Sequence, residues 1–148
     1  MEIALRVASS PSLSGWDRFV AEGVSLASGS IFYHAGMRLS DGKLITATPS
    51  AGVCMIEQVF EPGEWTFFPI PDASLWDEND ARLWCQVHRG CKYDFTGDGG
   101  FLMRWLPRPI AEQLRKLSFF HHQRNHYFCS MVTVILAQRV SLFHEVVP

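Results

Sequence analysis

Asp41-Gly42 constrains the geometry of this chain more than any other pair of residues. It stands between two runs with strand character, 31–39 and 43–48. Asp-Gly there is a strong hairpin signal, because the tight turns that match strand twist need positive φ. Pro49-Ser50-Ala51-Gly52 makes a second turn before a run at 53–58, and Pro62-Gly63 ends that run ahead of another at 65–70. Pro69 and Pro71 would place the end of that last run at a sheet edge, since proline cannot donate to a ladder. These runs predict an antiparallel meander, and residues 3–7 alternate well enough for a further strand at the start.

Helical spacing appears in four places. Trp16, Phe19, Val20, Gly23 and Val24 recur at helical intervals, with Ser12 or Ser14 available as a cap and Gly29 as the stop. A second helix is expected over 78–88, capped by Asp77 and with Asp80 in its first turn. A short amphipathic helix fits 110–117. The last is expected over 128–139, turning Val132, Leu136 and Val140 toward the sheet. Residues 89–107 are glycine-rich and aromatic without a clear period, and 142–147 read as a terminal strand or tail. Gly97-Asp98-Gly99-Gly100 lacks the Gly-Lys-Ser/Thr of a phosphate loop. No repeat or linker divides the 148 residues, so one α+β domain spanning 1–148 is expected, an antiparallel sheet packed against helices.

Composition narrows the partners. A formal charge of −2 provides no basic field, which argues against nucleic acid. No apolar run has the length of a membrane span. Met1-Glu2-Ile3-Ala4-Leu5-Arg6-Val7 has an early acid and no long apolar core, so no Sec-type signal peptide is expected. The protein is then made in the cytoplasm, and an extracellular substrate would require another delivery route. Without export, Cys54, Cys85, Cys91 and Cys129 read as reduced thiols. Cys85-x-x-His88-x-x-Cys91 supplies only three zinc ligands, spread around a helix if that helix continues; His121, His122 or His126 could complete a site but nothing fixes them nearby, so neither a metal nor another cofactor is expected.

The chemistry centres on Cys129. In Asn125-His126-Tyr127-Phe128-Cys129-Ser130-Met131-Val132 a polar and aromatic approach gives way to the apolar run 131–137, which places the cysteine in the first turn of a helix. The helix dipole and unpaired N–H groups there favour the thiolate. His34 lies far upstream in a strand, on the side of Phe32 and Gly36, where glycine would leave space beside the imidazole. Cysteine and histidine distant in sequence are what a fold must bring together for nucleophilic catalysis. His126 is nearer to Cys129 in sequence but has no evident aim toward the sulfur.

The segments His34 to Val53 (H-A-G-M-R-L-S-D-G-K-L-I-T-A-T-P-S-A-G-V), Tyr93 to Gly97 (Y-D-F-T-G) and Tyr127 to Val132 (Y-F-C-S-M-V), in that order, resemble the circularly permuted branch of the NlpC-type papain-like cysteine hydrolases. The resemblance covers residues 30 to 138. It implies a permuted papain-like fold in which Cys129 attacks a carbonyl and His34 is the base. Counting without gaps, the family's usual glutamate falls on Thr46, whose hydroxyl can accept a hydrogen bond but brings no charge. Thr46, Thr48 or a backbone carbonyl is then the orienter, or the enzyme is attenuated. Tyr93 matches the family's Tyr-Asp word, as a pocket-bordering or oxyanion-assisting hydroxyl or as a buried ring. The resemblance implies a cysteine amidase or peptidase acting on cell-wall peptidoglycan peptides. A small member without a signal also looks like the peptidases at phage tail tips, with tail-tip proteins as partners and the virion as vehicle. Two alternatives stand beside it: a lipid acyltransferase or thioesterase of the same fold, whose acyl groove the aromatic stretch from Phe95 to Trp105 could line, and a non-catalytic binding or structural subunit that docks through Trp65, Phe67 and Phe68.

Overall fold

The computed structural model describes residues 1–71, 73–93, 127 and 129–139. Within them lie five strands, β1 (Glu2–Val7), β2 (Phe32–Arg38), β3 (Lys43–Thr48), β4 (Gly52–Glu57) and β5 (Trp65–Pro69), and three helices, α1 (Gly15–Ser28), α2 (Leu75–Val87) and α3 (Cys129–Arg139). The fold is α+β, with one antiparallel sheet in the order β4-β3-β2-β1-β5. The hairpin at Asp41-Gly42 forms as expected: Gly42 takes φ 83° and the Leu39 N–H bonds the Lys43 carbonyl at 2.8 Å. The meander is confined to β2-β3-β4. β5 does not continue it beside β4; it crosses to the far edge and pairs with β1.

Alternation sorts the side chains onto two faces. Met37, Ile45, Ala47 and Val53 project to one side, where Ala81, Trp84 and Cys85 of α2 and Val132, Leu136 and Ala137 of α3 close the largest core. Ala4, Leu44 and Trp65 project to the other, packed against Ile56, Phe60 and Phe67. Arg38 lies over the Phe60 and Phe67 rings, at 4.9 and 4.7 Å from their centroids.

Caps and ion pairs set the helices. Ser74, not Asp77, is the N-cap of α2. Asp77 sits three residues in and completes a capping box, bonding back to the Ser74 N–H at 2.8 Å. Glu78 is buried and accepts from Ser40 N–H at 3.1 Å and from Arg82 at 2.7 Å, which ties α2 to the Asp41 hairpin. The α3 end is held by a two-pronged Arg139–Asp80 pair at 2.6 and 2.7 Å. Ser14 precedes α1 but makes no side-chain cap, and Gly29 closes the helix with φ 67°. Here the expected apolar stripe is corrected: the helix buries Ala21 against Ala8, Leu13 and Tyr33, and leaves Phe19 and Val20 exposed.

Two glycines are required by close approach. A Cβ on Gly52, which has φ 64°, would overlap the Cys91 carbonyl, the group that accepts from Val53 N–H at 3.0 Å. A Cβ on Gly36 would lie 2.6 Å from Leu44 Cδ1 and 2.9 Å from the Ile45 carbonyl oxygen. The space expected beside His34 is therefore already filled by Leu44.

Among the described residues no helix is long and apolar enough to cross a membrane. The helix expected at 110–117, the tail at 142–147, and Asp94, Phe95, Trp105, His121, His122, His126, Phe128 and Val140 lie outside the described residues.

Candidate active site

His34 and Thr46 meet. The Thr46 Oγ1 lies 3.2 Å from His34 Nε2 and 2.7 Å from the Ala35 carbonyl oxygen. A hydroxyl has one proton, and the shorter bond to a carbonyl, which can only accept, takes it. Thr46 Oγ1 must then accept from His34, so Nε2 carries the ring proton and Nδ1 is the basic nitrogen. Thr46 is fully buried between β2 and β4, which makes this orientation rigid.

The ring stays neutral. Burial first, and the neighbouring Arg6 guanidinium second, push His34 from 6.5 down to about 4. Arg6 is its direct cross-strand partner on β1. The Trp65 ring meets the imidazole edge-on with 6.2 Å between centroids.

Cys129 is the first residue of α3 and only 6% exposed. Its placement follows from Tyr127, whose N–H bonds the Lys92 carbonyl at 3.0 Å and which bridges to Tyr93. The adjoining Cys91 carbonyl pairs in turn with Val53 at the start of β4. Cys129 therefore enters at the sheet end formed by the β3–β4 turn and the start of β2, the end where His34 lies. The faces differ. α3 packs on the side of Met37, Ile45 and Ala47, whereas His34 and Thr46 project with Leu44, Arg6 and Trp65 on the other. The structure joins His34 to Thr46 and places Cys129 at the same end of the sheet from across it.

The cysteine that shares a face with His34 and Thr46 is Cys54, directly opposite Thr46 on β4, with Thr48 Oγ1 4.0 Å from its sulfur. Burial raises its pKa, so it remains a thiol. Register revealed it; residue spacing did not. Arg6 was equally invisible in sequence. It forms an ion pair with Glu64 at 3.1 Å and a 2.6 Å bond to Ser12 Oγ. Glu64 is lowered to about 2, with the Ser10 and Ser12 hydroxyls the leading causes and Arg6 a smaller one.

Tyr93 is partly buried against the main core and lines a surface depression with Ser50, Ala51, Gly52 and Lys92. Neither His34 nor Cys129 lines that depression. In the Cys85, His88, Cys91 set, Cys85 is buried in the core, while His88 stacks on Trp84 and bonds its carbonyl through Nδ1 at 2.8 Å. Among the described residues no three His, Cys, Asp or Glu side chains are grouped to hold a metal. Trp65, expected as an exposed docking residue, is buried at 7% exposure, while Phe68 is 46% exposed. No family model, curated protein or solved structure matches the chain.

Proposed function

We propose that the chain is a cysteine amidase or peptidase of permuted papain-like type, with Cys129 as nucleophile, His34 as base, Thr46 as orienter and cell-wall peptide as substrate class. The observation that carries this reading is the Thr46–His34 bond, because it leaves Nδ1 of a neutral imidazole basic and held in one orientation. With His34 near 4, the ring is too weak a base to ionise a resting thiol, so proton transfer accompanies attack. Cys129 Sγ bonds the carbonyl carbon as its proton passes to Nδ1. The Cys129 N–H at the helix start is the natural donor to the oxyanion. Collapse breaks the C–N bond, the amine leaves with the proton from His34, and water then hydrolyses the thioester with His34 again as base. In this scheme the thiol and imidazole must meet around the sheet end they share. A phage tail is the delivery route that suits a compact peptidase of this type.

A second reading rests on the separation of faces: a non-catalytic binding or structural subunit that keeps the fold while His34 and Cys129 remain apart. One experiment divides the readings. Wild type, Cys129→Ala and Thr46→Val are incubated with purified peptidoglycan and, in parallel, with a lipid ester. New amine termini from peptidoglycan, abolished in Cys129→Ala and reduced on the order of tenfold in Thr46→Val, support the peptidase. Ester cleavage alone moves the substrate class to acyl chains. Wild type silent on both, with iodoacetamide labelling Cys129 no faster than Cys54, Cys85 and Cys91, establishes the subunit instead.

A further inference from the structure

We infer that Arg6 is a positioning residue for His34, a clamped cation that denies the imidazole a second positive charge and so keeps its Nδ1 available to accept. The inference deepens the proposed hydrolase and rests on it for its catalytic meaning, but its physical content stands alone. Arg6 faces His34 directly across the β1–β2 ladder. Its guanidinium cannot swing away, because Glu64 Oε2 holds it at 3.1 Å, Ser12 Oγ at 2.6 Å, and the Trp65 ring lies beneath it at 5.5 Å. Ser12 returns two bonds to Glu64, one from its N–H at 3.0 Å and one from its hydroxyl at 2.9 Å. Ser10 Oγ stands 3.0 Å from Ser12 Oγ, which extends the clamp into the segment before α1.

Acceptors are scarce on this face. Buried Arg6 Nε and Trp65 Nε1 have no acceptor among the described residues, and Thr46 Oγ1 serves only His34 Nε2. An imidazolium would add a fourth donor to a neighbourhood already short of acceptors. The groups around His34 on the packed elements are Arg6 from β1, Glu64 joined to Arg6, Tyr33 from its own strand with Asp17 of α1 near that phenol, and Cys54 beyond Thr46 on β4. Of the two carboxylates, Glu64 is already claimed by Arg6 and the two serines.

The full chain, labelled with ¹⁵N in its histidines, tests this by titration of the His34 ring, with His34→Gln assigning the signal. Wild type should show the Nε2–H tautomer and a midpoint well below that of an ordinary histidine. Arg6→Gln should raise the midpoint by at least about half a unit, a threefold change in acid constant. Arg6→Lys should restore it, which a purely structural role would not. Glu64→Gln leaves Arg6 uncompensated and should lower the midpoint; it also serves if Arg6→Gln fails to fold. An unmoved midpoint in Arg6→Gln, or a raised one in Glu64→Gln, overturns the inference. These readings use no turnover. A shifted midpoint in a protein that cleaves nothing would sink the hydrolase and leave Arg6's hold on His34 standing.

Discussion

The two faces of the sheet are built on different principles. The face under α2 and α3 carries the main apolar core, closed by Leu136, Val132 and Trp84 over Met37, Ile45 and Val53. The opposite face mixes Leu44 and Trp65 with His34, Thr46, Arg6 and Glu64, tied by specific bonds and an ion pair that still leave Arg6 Nε and Trp65 Nε1 without an acceptor among the described residues. The apolar face draws on burial, which is nondirectional and indifferent to pH. The polar face depends on which atom holds which proton.

The contrast can be broken by substitution. Leu136→Ala opens a cavity between α3 and the sheet and should cost about 2–5 kcal/mol in urea unfolding, equally at pH 7 and pH 5. A strong pH dependence of that cost would show that the two faces are coupled.

On the polar face, acid should act first through His34. Because the His34 pKa is depressed in the folded chain, the unfolded chain takes up a proton that the folded chain refuses. The stability this represents is present above the ordinary pKa of 6.5 and is lost as pH falls toward about 4. The gap of about 2.5 units corresponds to about 3 kcal/mol. The difference in stability between wild type and His34→Gln, followed from pH 7 to pH 4, isolates this residue; a flat difference would mean that the ring is solvated and unclamped. Glu64 acts in a lower window: its depressed pKa stabilises above 4.5, and that support goes as pH falls to about 2.

Smaller effects sharpen the boundary between β2 and β3. Gly36→Ala presses a methyl on Leu44 and on the Ile45 carbonyl, and because that oxygen is backbone the strain should cost about 1–3 kcal/mol in thermal or urea unfolding. Thr46→Val removes the donor to the Ala35 carbonyl and the acceptor for His34, at about 1 kcal/mol of stability. Its clearer signature is loss of the single ring tautomer in ¹⁵N spectra. A retained Nε2–H tautomer in the valine variant would assign the orientation to packing rather than to the hydroxyl.

What the sequence made legible was local. β3 forms over the expected 43–48, because Asp41-Gly42 and Pro49 bound it on both sides. Gly29 ends α1, and α3 runs to Arg139 from the expected cysteine turn. Thr46 is reached by counting along the chain from His34, and the contact between the two is a consequence of the hairpin that joins their strands. Long-range partner choice was not legible. Nothing in 65–70 announces that β5 will leave the meander for β1, since both edges offer equivalent backbone groups. The face of His34 relative to α3 depends on that assembly. For the same reason the Arg6–Glu64 pair, spanning two elements far apart in sequence, left no local signal.

The strand order also shapes how the molecule can be made. β1 precedes the other four strands yet ends between two neighbours, β2 and β5, that follow it in the chain. One edge waits for β2 at residues 32–38 and the other stays open until residue 69 is available, so its ladders close over long sequence separations. Such pairings slow folding and leave an unpaired strand to meet other chains in the interval. Ile3 and Leu5, flanked by Glu2 and Arg6, form a short apolar segment between charges. That arrangement discourages edge-to-edge association of nascent chains until β5 arrives.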